Sequence, residues 1–121
     1  MVTRQAQTIV RMWRGRERRD RTGAYRRHLE GSVYPRLRAL PGFLGLSLLQ
    51  RTDRGQAEML VMTRWDSMAS IEAFAGRDPE SAVVEPEARA VLESFDDFVT
   101  HHEVILELGR EDASDRPLGG P

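Results

Sequence analysis

The sequence predicts an α+β fold in which helices cover one face of a four-stranded antiparallel sheet. The prediction rests on three features. Apolar segments follow the order strand, helix, strand, strand, helix, strand along 121 residues, the split βαβ arrangement of ferredoxin-like domains. The strands carry apolar residues at both parities, so the sheet face turned away from the helices also needs a cover. No repeat or linker divides the chain, and its length suits one domain with a proper core.

The first strand is Thr8 to Arg14, with Ile9, Val10, Met12 and Trp13 apolar. Arg16 to Leu40 reads as a long helix, because Tyr25, Leu29, Val33, Leu37 and Leu40 recur at steps of three or four. Gly31 and Pro35 weaken its middle, which predicts a kink or a break, and Pro41-Gly42 ends it. The second strand, Phe43 to Arg51, puts Leu44, Leu46 and Leu48 on one face and Phe43, Gly45, Ser47 and Leu49 on the other. Thr52-Asp-Arg-Gly55 is a hairpin turn, from which Ala57 to Trp65 returns antiparallel. Ser67 to Ala75 is a helix with Met68, Ile71 and Phe74 inward. Asp66 or Ser67 accepts from its first amides, and Gly76 stops it. Ser81 to Phe95 is expected to be largely helical, with Pro86 in a first turn, and Asp97 to Leu108 is the last strand. Residues 1–7 read as an N-terminal extension, 8–108 as the domain, and 109–121, polar and rich in Gly and Pro, as a disordered tail.

Composition excludes several chemistries. The chain has no Cys, so disulfides, thiolate catalysis and Cys-ligated metals are absent, and its three His have no standard zinc spacing, so no metal is expected. All 18 basic residues are Arg, which leaves no amine for a Schiff base. Their crowding between Arg4 and Arg38 reads as GC-rich codon usage rather than a nucleic-acid face, since the net charge is −1. No apolar run is long enough to span a membrane, and the N-terminus lacks the apolar middle of a signal peptide, so a cytoplasmic protein is expected. Two sheets packed through their uncovered faces predict a homodimer, a dimeric α/β barrel with a small apolar pocket in each subunit.

Five segments occur in order: Ile9-Val-Arg-Met-Trp13-Arg-Gly15, Pro41-Gly-Phe-Leu-Gly45, Thr63-Arg-Trp65-Asp-Ser67, Ala73-Phe-Ala-Gly76 and His101-His-Glu-Val104. With them the chain resembles the antibiotic biosynthesis monooxygenase superfamily of dimeric α/β barrels over about residues 8 to 107. The resemblance implies oxygenation of a polycyclic anthrone to a quinone without metal or flavin. In that chemistry the pocket stabilises an electron-rich anion that itself reduces O₂. It therefore implies no cofactor, with molecular oxygen as co-substrate. Heme-degrading relatives use an axial His after the Trp; that place falls near Val83-Val84-Glu85, which has no His. Arg11-Met12-Trp13 stands where those relatives carry an Asn on the first strand, so heme is not expected.

Trp65 can stack on a flat aromatic substrate and donate its indole N–H, or it can cap the core between sheet and helices. Arg11 shares strand parity with Ile9 and Trp13, unusual for a cation on an apolar-flanked face. It can stabilise an enolate in the pocket, pair with a carboxylate across a dimer, or sit at an exposed edge. His101 and His102 point to opposite faces of one strand, and the matching family segment favours His101 as general base or hydrogen-bond donor. A structural histidine bridging strands is the alternative. Trp13, Tyr25, His28, Phe43, Met62 and Phe74 are expected to line the pocket, with Tyr25 toward the core and His28 at its rim.

The expected function is a small cofactor-independent monooxygenase-like enzyme that oxidises or tailors an aromatic or polyketide-type small molecule. A non-catalytic dimeric ligand-binding or stress module is the alternative. RNA binding is set aside, because the third strand offers no aromatic for base stacking before Trp65.

Overall fold

A computed structural model describes residues 7–111. Of the expected N-terminal extension it describes Gln7, and of the expected tail residues 109–111; the rest lies outside the described residues. The fold is the expected ferredoxin-like α+β arrangement. Strand β1 (Ile9–Glu17) lies between β3 (Gln56–Trp65) on one side and β4 (Leu92–Phe95) and β5 (Thr100–Glu103) on the other, and β2 (Phe43–Asp53) flanks β3. All these pairings are antiparallel.

The β2–β3 hairpin closes at Arg54-Gly55, both at positive φ (54° and 79°), the backbone of a type I′ turn that matches strand twist. Pro41-Gly42 makes the other sharp corner. Gly42 has φ 87°, and a Cβ there would run into the Ser70 hydroxyl and the Asp66 carboxylate. Its carbonyl accepts from the Asp66 amide at 2.9 Å, joining the start of β2 to the end of β3.

The expected long first helix begins later than its sequence suggests, because β1 continues through Glu17. Helix α1 (Ala24–His28) is followed by a π turn over Leu29–Val33 and then α2 (Tyr34–Leu37). The break expected from Gly31 and Pro35 thus takes the form of a π turn. Its physical reason lies in the stripe. Tyr25, Leu29, Val33 and Leu37 are spaced by four residues, and each such step drifts by about 40° around an ideal α-helix. One wide turn takes up the drift, so Tyr25, Leu29 and Leu37 are all buried. The helix start is capped by a buried carboxylate: Glu17 accepts from the amides of Gly23 (3.0 Å) and Tyr25 (2.9 Å).

Helix α3 (Met68–Ala75) begins at Ser67, whose hydroxyl accepts from the Ser70 amide at 3.1 Å, and stops at Gly76. The Asp66 carboxylate accepts from the hydroxyls of Ser70 (2.6 Å) and Ser67 (3.0 Å), and these bonds, Ser70 first, hold its pKa below the usual carboxylate value.

Two expectations for the last third need correction. Helix is confined to α4 (Pro86–Val91), and Leu92–Phe95, expected as its continuation, is strand β4. The second half of β1 leaves an open edge, and Gly15–Glu17 pair with this stretch, with a bulge between Arg16 and Glu17. The last strand is shorter than Asp97 to Leu108: β5 ends at Glu103, beyond which Val104 still donates to the Thr8 carbonyl at 2.9 Å. There β1 runs out. The following Ile105, Leu106 and Leu108 are largely exposed (89%, 73% and 68%).

The core fills the space between sheet and helices in two clusters. One gathers Tyr25, Leu29, Met59, Val61, Val91 and Leu92; the other gathers Ile9, Leu37, Trp65 and Ile71. The opposite sheet face combines apolar Met12, Leu49, Leu60 and Phe98 with Arg14, Arg51 and Glu58 in one groove.

Candidate functional site

A cavity of about 70 Å³ lies between the inner face of the sheet and the helices, largely apolar in its walls. That is room for roughly five waters, the scale of one substituted ring. β1 contributes Arg11 and Trp13, β3 contributes Val61 and Thr63, and the first helix contributes Tyr25 and His28; Phe74 of α3 and Val83, Val84 and Glu85 are also in the wall, with aliphatic core side chains between them.

Arg11 is buried, at 6% exposure. Its Nη1 donates to the carbonyl of Pro79, and its Nη2 to that of Ser81 at 3.1 Å, while the guanidinium lies 5.7 Å from the Phe74 ring centroid. Among the described residues no carboxylate forms an ion pair with it. A cation taken out of water without a counter-ion is costly. Burial lowers its pKa to about 10, so Arg11 is still charged at neutral pH. Its burial corrects the exposed edge considered for it from sequence; a carboxylate across a dimer, the other partner considered, lies outside a single subunit.

His101, opposite Arg11 in the β1–β5 register, stands beside the guanidinium rather than in the cavity. Its Nε2 is 3.0 Å from Arg11 Nη1. The guanidinium can only donate, so this imidazole nitrogen accepts and the neutral ring carries its proton on Nδ1. Burial first, then the Arg11 charge, holds the pKa of His101 below the ordinary histidine value. His102 points to the other face and lines the open groove.

His28, expected at the rim, is instead enclosed, with a side chain only 9% exposed. Its Nε2 lies 3.4 Å from Glu85 Oε1, close enough for an ion pair but off the line of a hydrogen bond, so this buried nitrogen has no hydrogen-bond partner among the described residues. Glu85 also pairs with Arg36. Burial first, and Glu85 second, pushes the Tyr25 phenol upward, so Tyr25 stays protonated.

Trp65 is fully buried. Its indole N–H donates to Thr63 Oγ1 at 2.8 Å, and its ring stacks on Phe74 at 5.6 Å and meets Phe43 edge-on at 5.4 Å. It therefore backs the wall while Thr63 and Phe74 face the space. Phe43 belongs to that same aromatic group rather than to the cavity lining. Met62 does not line the cavity either. It pairs with Met12, and the alternation that turns Val61, Thr63 and Trp65 inward turns Met62 to the open face. Trp13 does line it, with its N–H held by the Asp96 carbonyl at 2.8 Å.

Glu85 and Thr63 were missed from sequence. Thr63 was detectable by its inward parity next to Trp65. Glu85 carries no local signal beyond standing before Pro86 at a helix start. Among the described residues no three His, Cys, Asp or Glu come together as metal ligands.

The chain matches the family model described as antibiotic biosynthesis monooxygenase over residues 8–86. None of the curated proteins matches it. Protein SO0527 from Shewanella oneidensis shares the fold with a TM-score of 0.59 at 18% identity, over 82% of this chain and 92% of that one. Rv0793 from Mycobacterium tuberculosis gives 0.51 at 20% identity, over 85% of this chain and 98% of that one. A protein from Chloroflexus aurantiacus J-10-fl gives 0.51 at 18% identity, over 85% and 96%.

Proposed function

The chain belongs to the antibiotic biosynthesis monooxygenase family, and from that premise we propose that it is a small cofactor-independent monooxygenase-like enzyme that oxidises an aromatic or polyketide-type molecule in the cavity under its sheet. The observation that carries this reading is Arg11, a buried cation with no carboxylate paired to it among the described residues, in the wall of a largely apolar space. Such a site favours a substrate that becomes an anion. An electron-rich anion in a dry cavity can pass electrons to O₂. Oxygen then bonds to carbon, and loss of water leaves a carbonyl, so one oxygen atom enters the product and the other leaves as water. Val83, Val84 and Glu85 stand where the resemblance would put the axial His of a heme degrader, which supports a reaction without heme.

The partner in this reading is a second copy of the chain. Met12, Leu49, Leu60 and Phe98 lie on the open face, and Ile105, Leu106 and Leu108 after β5 are largely exposed. A homodimer packed through these faces would cover both. Among the described residues no helix is long and apolar enough to cross a membrane, and a cytoplasmic enzyme fits this reading.

An oxygen electrode tests the proposal, with metal-chelated protein and a panel of single-ring phenols, hydroquinones and one hydroxylated anthrone. Uptake is expected with at least one one-ring member and is lost in Arg11→Met. That variant should melt at or above the wild-type temperature, because it removes an uncompensated buried charge. Ligand binding without oxygen uptake throughout would leave a binding module instead.

A further inference from the structure

We propose that ligands enter the cavity beside Val83, and that residues 83–85 form a gate whose release from Arg36 opens the way. This rests on reading the cavity as the ligand site and is independent of the oxygen chemistry assigned to it. Among the described residues that line the cavity, only Val83 is exposed, at 50%; the others are buried or half-buried. At that point the wall is one side chain thick, with the cavity on one side and water on the other. Most of the remaining wall belongs to β1, β3 and the helices, where opening would break backbone hydrogen bonds. The bulk of residue 83 therefore sets which rings enter, and how fast.

The segment is held unequally along its length. Before Val83 it is tied to the sheet. Arg11 donates to the carbonyls of Pro79 and Ser81, the Val99 amide donates to the Glu80 carbonyl at 2.8 Å, and the Ala82 amide donates to the Asp97 carbonyl at 2.9 Å. After Val84 it runs into α4, where the Glu85 carbonyl accepts from the amides of Ala88 (2.9 Å) and Arg89 (3.0 Å). Val83 and Val84 span the interval between these anchors. The polar tie from here to the first helix is the Glu85 carboxylate, which pairs with Arg36 and stands 3.4 Å from His28 Nε2. The Arg36 side chain is largely exposed, and an ion pair in contact with water is weak. Releasing it lets the two valines move away from the first helix while the strand pairing and the α4 bonds stay intact. The bond from Arg89 Nε to the Val84 carbonyl (3.2 Å) lies on the α4 side and moves with the segment.

4-Nitrophenol is the probe, a single ring that quenches tryptophan emission when it lies beside Trp13 in the cavity wall. Stopped-flow fluorescence, at a pH where the probe is mostly neutral, gives its association and dissociation rates. A residue that only lines a site acts chiefly on dissociation, whereas a gate acts on both rates and leaves affinity nearly fixed. Val83→Trp should slow both rates about tenfold or more, and Val83→Ala should raise both, with Kd kept within about threefold. Arg36 does not line the cavity, so Arg36→Gln tests the latch alone. It should raise both rates by up to about fivefold, the weight of one exposed ion pair. Added salt should speed entry into the wild type and leave Arg36→Gln unchanged, since the probe carries no charge to be steered. Wild-type rates indifferent to salt, rates unmoved by Val83→Trp, or a change confined to dissociation would each overturn the gate. The salt dependence of the wild type decides this even if a variant does not fold. No binding at all would remove the cavity as a ligand site and the gate with it; gated binding without oxygen uptake would remove the oxygenase reading and keep this one.

Discussion

Trp65 and Arg11 share the inner face of the sheet and do opposite things there. The indole is fully enclosed and its N–H is satisfied by Thr63, so it fixes the wall that a ligand would touch. Arg11 is enclosed with no carboxylate paired to it among the described residues, a costly placement for a cation and the basis of the proposed preference for an anionic guest. His101 adds a pH signature to this corner. Its pKa in the fold is below its ordinary value of 6.5, so on acidification the unfolded chain takes up the proton first. His101 therefore contributes no slope above that value, and stability falls as pH drops below it until the folded-state pKa is passed. Urea unfolding at about pH 7.5 and about pH 5 should show a loss at the lower pH that His101→Gln diminishes, Gln still offering an acceptor to Arg11. Strand parity makes the inward direction of Arg11, Trp13 and Trp65 legible in the sequence. That the cavity takes His28 rather than His101 is not legible, because it depends on where residues 79–85 lie, and the part of them expected as helix from Ser81 is irregular instead.

The first helix shows how far periodicity reaches. Its apolar stripe and weak middle are visible in the letters, while the π turn that reconciles a four-residue repeat with burial depends on the sheet beneath it. Likewise Leu92–Phe95 fits a helical stripe through Ala88, Val91, Leu92 and Phe95, yet the unpaired edge of β1 draws it into a strand. Hydrogen bonding to a distant partner overrode a local pattern. The β2–β3 hairpin was legible from Gly55, but its turn keeps Arg54 at φ 54°, a conformation a long side chain adopts at a cost. Arg54→Asn should raise stability by about 0.5–1 kcal/mol, read as a higher urea midpoint with an unchanged slope. The bond from Arg19 Nη1 to the residue 54 carbonyl (2.8 Å) involves backbone on that side and survives the change.

At the level of the whole molecule, the order of elements and the two-sided apolar strands identify the fold, and they motivate the proposed dimer. The open face is more mixed than the strand letters suggest. Glu58 binds Arg51 at 2.7 Å and Arg16 at 3.3 Å, and the Arg51 bond foremost lowers the Glu58 pKa. Arg51 and Glu58 line this groove beside its apolar residues, the mixture expected where apolar interface residues meet a polar rim. Leu60→Arg places a cation in its middle. Sedimentation equilibrium at micromolar concentration should find a dimer for the wild type and a folded monomer for this variant; a wild-type monomer would remove the barrel. The pairing of Glu58 with Arg51 and Arg16 was not foreseen, because alternation assigns a residue to a face but does not say which charges on that face neutralise one another.

β1 serves as a shared spine, hydrogen-bonded along both edges, with cavity groups on one parity and the outward Met12 and Arg14 on the other. Inserting or deleting a single residue upstream of Arg11 within it would exchange the two sets, sending the guanidinium outward and a thioether into the chamber. A lineage adapting this scaffold to a new compound is thereby denied length changes in its central strand, and is left to vary the irregular wall between α3 and α4.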